Sequence, residues 1–329
     1  LSNSVPVIAI KNPIKSPFWL PEGHTQSIYP ALFRHVVLPH QPIRERLNTD
    51  DGDFLDVDWY LNQGDINKTP LLIISHGLEG GSDREYVKGL VRVMQSEGYN
   101  ILAWNYRSCS GEINRALRFY HSGATDDLDF IIRQANQRGA NQISLAGFSL
   151  GGNLTLKWLG EQGENPPQFI RKAVAFSVPL HLSSSSRKLA RRENRIYTHR
   201  FLQTLIKKVT EKSALYPHDI TAGMLANIKS LKDFDHVITG PLHGFKDAED
   251  YYEQNSSLYF LEKIRIPVLV VNAQNDPFLT EECIPYQLAE SSDFVYLEAP
   301  KAGGHCGFYP KNYQGVTWSE KRAADWFRI

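Results

Sequence analysis

Four short, nearly unbroken apolar runs recur between residues 71 and 178 of the chain: Leu71–Ser75, Asn100–Asn105, Gln142–Ala146 and Lys172–Val178. Stretches of helical period lie between them, near residues 83–97, 125–138 and 152–162. Runs this short and this apolar read as strands buried on both faces. Their alternation with helices predicts βαβ units and a mostly parallel sheet covered by helices on both faces. The rhythm breaks from 181 to 262, where the pattern is helical and has no strong strand run. It resumes with Ile266–Val271, a helix near 281–290, Phe294–Glu298 and a helix near 317–328. The break predicts a helical cap, 181–262, inserted into a single α/β domain, 1–329.

Ahead of the first run, residues 43–49 and 54–61 flank Asp50-Asp51-Gly52-Asp53, which carries an Asp-Gly turn signal. Leu55, Val57 and Trp59 alternate there with Asp56, Asp58 and Tyr60. Period two predicts a half-buried antiparallel strand. Residues 1–40 are punctuated by Pro6, Pro13, Pro17, Pro21, Pro30 and Pro39. They predict an irregular arm wrapped over the body.

Composition narrows the function classes. The 36 Lys and Arg balance 36 Asp and Glu, so the global basic excess of a nucleic-acid binder is absent. A 42% hydrophobic chain of 329 residues can bury a core without staples. Cys109, Cys283 and Cys306 are too scattered for a disulfide framework or a CxxC zinc site. No apolar run is long enough to span a bilayer, and Leu1–Ile10 lacks a signal-peptide layout. The expectation is a cytoplasmic protein with no metal or organic cofactor.

The chemistry is carried by the ends of the strands. The run 142–146 leads into Gly147-Phe148-Ser149-Leu150-Gly151-Gly152 and then a helix. Gly-x-Ser-x-Gly between strand and helix lifts the serine hydroxyl above the sheet edge on a tight turn. The flanking glycines remove side chains that would collide there. A serine nucleophile needs a base, and the base an orienting acid. Asp276 follows the strand 266–271, and Pro277 forces the chain to turn. His305 follows the strand 294–298 through Gly303-Gly304. Asp293, Asp247 and Asp250 follow no central strand and are weaker candidates for the acid. The order Ser149, Asp276, His305 is the one this architecture uses. The loop His76-Gly77-Leu78-Glu79-Gly80-Gly81 after the first run predicts the Leu78 amide as one oxyanion donor, with Gly77 as the fallback. The Leu150 amide is the other. Gly77, Phe148 and Tyr106 are the candidate pocket residues, and His76 reads as a structural loop histidine.

Together these residues resemble the α/β-hydrolase superfamily, and more narrowly its YheT-like branch of esterase-like proteins related to mammalian abhydrolase-domain proteins. The resemblance also covers Phe18-Trp19-Leu20-Pro21-Glu22-Gly23-His24-Thr25-Gln26, Asn105-Tyr106-Arg107-Ser108-Cys109-Ser110-Gly111, Pro241-Leu242-His243-Gly244-Phe245 and Gly303-Gly304-His305-Cys306-Gly307-Phe308. It implies Ser149, Asp276 and His305 as a triad. Ser108 stands where the branch carries glycine, which puts a close backbone approach there in question. Related proteins often carry His-x-x-x-x-Asp, tied to acyl transfer, and His121 to Asp126 fits the spacing. The plainer reading has Thr125 or Asp126 capping the following helix.

The leading expectation is a serine hydrolase that cleaves small-molecule or lipid-like carboxylic esters through an acyl-enzyme. Its rivals are a thioesterase, acyltransferase or lipase-like enzyme with the same triad, and a hydrolase-fold binding protein without turnover. From His181 to Lys212 there are nine basic and two acidic residues, so the neutral total hides a +7 stretch. Ile196, Tyr197, Phe201, Leu205 and Val209 recur there at helical spacing. A basic amphipathic helix can touch anionic lipid weakly, but a solvated outer face of the cap is the favoured reading.

Overall fold

A computed structural model describes residues 13–62 and 66–328. Residues 1–12 of the predicted arm, and with them Pro6 and the Leu1–Ile10 segment, lie outside the described residues. Eight strands form one sheet: β1 Ile43–Asn48, β2 Phe54–Tyr60, β3 Leu71–Ser75, β4 Asn100–Trp104, β5 Ile143–Phe148, β6 Ile170–Phe176, β7 Val268–Val271 and β8 Val295–Glu298. Their order is β1-β2-β4-β3-β5-β6-β7-β8. The β1–β2 and β2–β4 pairs are antiparallel and every other neighbouring pair is parallel.

Six helices bear on the site: α1 Gly23–Phe33, α2 Glu85–Ser96, α3 Thr125–Gln137, α4 Leu150–Gln162, α5 Leu182–Leu189 and α6 Arg195–Ser213. The strand period sorts side chains into two cores. Leu71, Ile73, Leu145 and Ala175 pack with α3 and α4. Leu72, Ile74, Ala146 and Phe176 pack with α2 and the C-terminal helix Trp318–Arg328. With both faces covered, β3 to β5 bury every residue, which is why they read as unbroken apolar runs. The described chain between β6 and β7 contains helices and turns and no strand.

Three expectations change. The arm is not irregular throughout, because α1 forms within it despite Pro30. A proline inside a helix costs a backbone bond. Hydrogen bonds tie α1 to the loop that carries His305, with partners about 280 residues away in sequence. Strand β2 is buried on both faces rather than one. Its polar face is covered by β1: Arg44 grips Asp58 and Arg46 grips Asp56, each through two bonds of 2.7–2.9 Å. Helix α3 starts after Ala124 with no side-chain cap. Asp126 instead binds Arg118.

The apolar stripe of α6 is also shifted. Its inward face runs through Thr198, Leu202, Leu205, Val209 and Lys212, while Ile196 is exposed. Among the described residues, no helix is long and apolar enough to cross a membrane.

The segment after β4 rests on a buried charge cluster. Arg107 bonds Asp127 through Nε and Nη2 at 2.9 and 2.7 Å and Asp53 through Nη1 at 2.7 Å. All three side chains are nearly inaccessible. Removing the cation would strand buried carboxylates. Arg107→Met should therefore lose about 3–5 kcal/mol of stability, read as a lower urea midpoint with an unchanged m-value.

Candidate active site

The central strands all end on one side of the sheet, and their following loops carry the site. Ser149 is the residue between β5 and α4. Its backbone sits at φ 53°, ψ −118°, a region that costs a non-glycine residue about 1–3 kcal/mol. Packing forces this turn. A Cβ on Gly151 would lie 2.4 Å from the carbonyl oxygens of Ser75 and His76, and one on Gly147 would lie 2.4 Å from the Gly151 oxygen. Only glycine lets α4 start that close to the end of β3.

His305 Nε2 lies 2.9 Å from Ser149 Oγ. On the other side its Nδ1 lies 2.9 and 3.1 Å from the Asp276 oxygens. A carboxylate accepts, so Nδ1 donates to Asp276, and once the ring is neutral Nε2 is left to offer its lone pair to the serine hydroxyl. Asp276 is 1% exposed, and its Oδ1 also accepts the Phe278 N–H at 2.8 Å. The imidazole is buried, which alone would lower its pKa, but the Asp276 carboxylate outweighs this and holds it at about 10. Phe278 covers the ring, 4.1 Å between centroids.

Above Ser149 and His305 opens a cavity of about 840 Å³, mouth included. Its walls are apolar side chains from the β6–β7 segment, including Leu182, Leu189, Phe201, Leu205 and Phe234. Leu78 and Leu150 line it beside the serine. Among the described residues their amides donate to no backbone or side-chain group. The Gly77 amide is already committed, donating to Tyr86 Oη at 2.9 Å, so it does not serve as the fallback donor. Among the described residues, no group of three or more His, Cys, Asp or Glu could hold a metal ion.

A profile of the alpha/beta hydrolase fold matches residues 70–311. The chain is 34% identical to the candidate esterase YheT of Escherichia coli (strain K12), over 92% of this chain and 89% of that protein. The chain belongs to the alpha/beta-hydrolase family. It is also 28% identical to phospholipase ABHD3 of Mus musculus, over 88% of this chain and 71% of that one. In fold it resembles the Pyrococcus furiosus esterase Pf2001, with a TM-score of 0.55, 16% identity, and 90% and 97% of the two chains covered.

Within this hydrolase fold, none of the three expected pocket residues lines the cavity. Phe148 immediately precedes Ser149, so the strand period turns it to the opposite face, where it stacks on Phe176 and Tyr86. Tyr106 is buried behind the cavity: its hydroxyl donates to the His76 carbonyl at 2.7 Å, and Tyr120 stacks between it and the cavity. Gly77 touches the serine side but does not line the cavity. His121 lines the cavity, whereas Asp126 does not. Burial holds the His76 imidazole neutral, its pKa lowered to about 3. Ser108 adopts φ 63°, a left-handed backbone that favours glycine. Its hydroxyl bonds Asn114.

Several supporting groups were not legible in sequence. Ser27 Oγ in α1 accepts the His305 N–H at 2.7 Å, and Gln26 Oε1 accepts the Gly303 N–H at 2.8 Å. Gly23 lets α1 approach Asn275, where a Cβ would overlap the carbonyl. The only sequence signal was the Gly23-His24-Thr25-Gln26 motif. Lys188 of α5 donates to the Asp276 and Leu279 carbonyls. Asp235, at a π-helical turn, puts a half-buried carboxyl on the cavity wall with Tyr252 and Thr239 as donors.

Because Asp276 is what raises His305, Asp276→Asn should lower the imidazole pKa. The check is an NMR titration of the His305 ring in both proteins. An unchanged value would mean that Asp276 does not hold the ring electrostatically.

Proposed function

We propose that the protein is a serine hydrolase of carboxylic esters, with Ser149 as nucleophile, His305 as base and Asp276 as its orienting acid. The observation that carries this reading is the continuous hydrogen-bonded relay from Ser149 Oγ through the imidazole to Asp276 at the floor of an apolar cavity. The relatives named esterase and phospholipase favour ester substrates. The largely apolar wall suits a small or lipid-like ester with an apolar acyl chain.

In this mechanism Ser149 Oγ attacks the acyl carbon as its proton passes to His305 Nε2. Negative charge moves onto the former carbonyl oxygen. The Leu78 and Leu150 amides face that charge, and α4 begins at the serine with its N-terminus towards it. The C–O bond of the tetrahedral adduct breaks, and the imidazolium protonates the departing alcohol. Water then repeats the sequence on the acyl-enzyme, with His305 again accepting the proton. The base works only when neutral. With its pKa raised to about 10, kcat/KM should climb with pH on the alkaline side of neutrality.

Nitrophenyl esters of graded chain length test the reading. Ser149→Ala and His305→Ala should each lose about 10⁴-fold or more in kcat, with Asp276→Asn losing a comparable factor. Its rate profile should also ascend at lower pH than the wild type's. Wild-type turnover that survives in Ser149→Ala would remove the serine from the mechanism. Thioesters and added alcohol acceptors in the same panel separate hydrolysis from acyl transfer.

A further inference from the structure

One cluster beside the site has no role in the steps above. Glu79 follows Leu78 directly, and its backbone is left-handed at φ 52°. That conformation is costly for a residue with a side chain, so something must hold it. The Glu79 N–H, carbonyl and Oε1 are all engaged. Its N–H donates to Tyr120 Oη at 3.0 Å, and the same hydroxyl donates back to Glu79 Oε1 at 2.7 Å. Arg84 donates to its carbonyl at 2.7 Å. The remaining partner comes from α6: Lys208 Nζ donates to Oε1 at 2.8 Å. The Glu79 side chain is 6% exposed and that of Lys208 20%. Lys208 also reaches Cys109 Sγ at 3.4 Å.

The neighbour on the other side of Leu78 is fixed as well, since the Gly77 amide donates to Tyr86. The Leu78 amide therefore hangs between two anchored residues. One anchor belongs to the body, and the other is completed by an ammonium from the segment that walls the cavity. The Leu78 side chain also packs against the α6 cluster that contains Leu205 and Val209.

We propose that Glu79, Tyr120 and Lys208 form a latch that positions the Leu78 amide, so that the oxyanion-binding loop takes its working shape only with α6 seated over it. This rests on the reading of Leu78 as an oxyanion donor. Lys208 is a positioning residue that touches no substrate. Its contribution is electrostatic and directional. The buried pair keeps the strained Glu79 turn from relaxing and carrying the amide away from the developing charge. Displacements of about 1 Å at such a donor can cost on the order of 100-fold in rate.

The experiment compares Lys208→Met, which keeps the stem and removes the charge, with Lys208→Arg, Glu79→Gln and Lys207→Met. Lys207 is the exposed neighbour on the same helix and controls for loss of a positive charge. On the best nitrophenyl ester, Lys208→Met and Glu79→Gln should lower kcat by about 10- to 100-fold with KM nearly unchanged. Lys208→Arg should recover most of the loss, and Lys207→Met should match wild type. Combining Lys208→Met with Glu79→Gln should cost little more than either alone. Hydrogen exchange supplies a readout that needs no turnover: amides 77–80 should exchange faster in both variants, with β5 unchanged. Wild-type kcat and wild-type exchange in folded variants would overturn the latch. If the wild type cleaves no ester, the hydrolase reading fails and exchange alone decides the latch. Should Lys208→Met not fold, Glu79→Gln, which keeps an acceptor for Tyr120, carries the comparison.

Discussion

The contact that shapes the nucleophile turn is backbone to backbone. Gly151 at the start of α4 presses against the carbonyls of Ser75 and His76 at the end of β3. No side chain fits between them. This contact bends the chain so sharply after β5 that Ser149 takes a backbone conformation few residues adopt. Its hydroxyl is thereby raised above the sheet edge towards His305. The neighbouring order of β3 and β5 in the sheet puts the Leu78 loop and the first turn of α4 side by side. Two free amides and the hydroxyl thus share one cavity wall. The strain is local, and the two cores on either face of the sheet hold it.

Everything else at the site braces loops against this fixed point. His305 sits on a glycine-rich loop after β8, and such a loop alone would not hold an imidazole in register. Helix α1 supplies the missing rigidity through Ser27 and Gln26. Lys188 does the same behind Asp276. The basic stretch that stands out in the charge pattern is therefore divided in use. Lys188, Lys208 and Lys212 turn inward to carbonyls and a carboxylate, while Arg191, Arg192, Arg195, Arg200 and Lys207 stay exposed. The outward charge is smaller than a count of residues suggests.

The sheet was legible because each central strand is buried on both faces and so lacks the polar punctuation that hides other elements. The three relay residues were legible because each follows a strand in the order the fold uses, and the structure brings them within hydrogen-bonding distance. What escaped the sequence depends on distant partners. Helix α1 looked irregular because Pro30 argues against a helix, and the bonds that tie it down are to residues 303 and 305. Asp56 and Asp58 looked solvent-facing because nothing in β2 reveals the arginines of β1. Phe148 lies beside Ser149 in sequence, but adjacency in a strand means the opposite face, where it meets Tyr86 and Phe176. Lys208 reads in sequence as one more charge on a solvated helix face, because its partner Glu79 lies 129 positions away.

The proposed chemistry requires one covalent event, the bond between Ser149 Oγ and the acyl carbon. A fluorophosphonate captures that event without assuming any natural substrate. The measurement is intact-protein mass followed by peptide mapping after reaction of the native protein. A single adduct on the peptide carrying Ser149, absent from His305→Ala at the same exposure time, is the predicted result. No adduct, or an adduct on a different residue, would contradict the account and leave the fold as a binding scaffold.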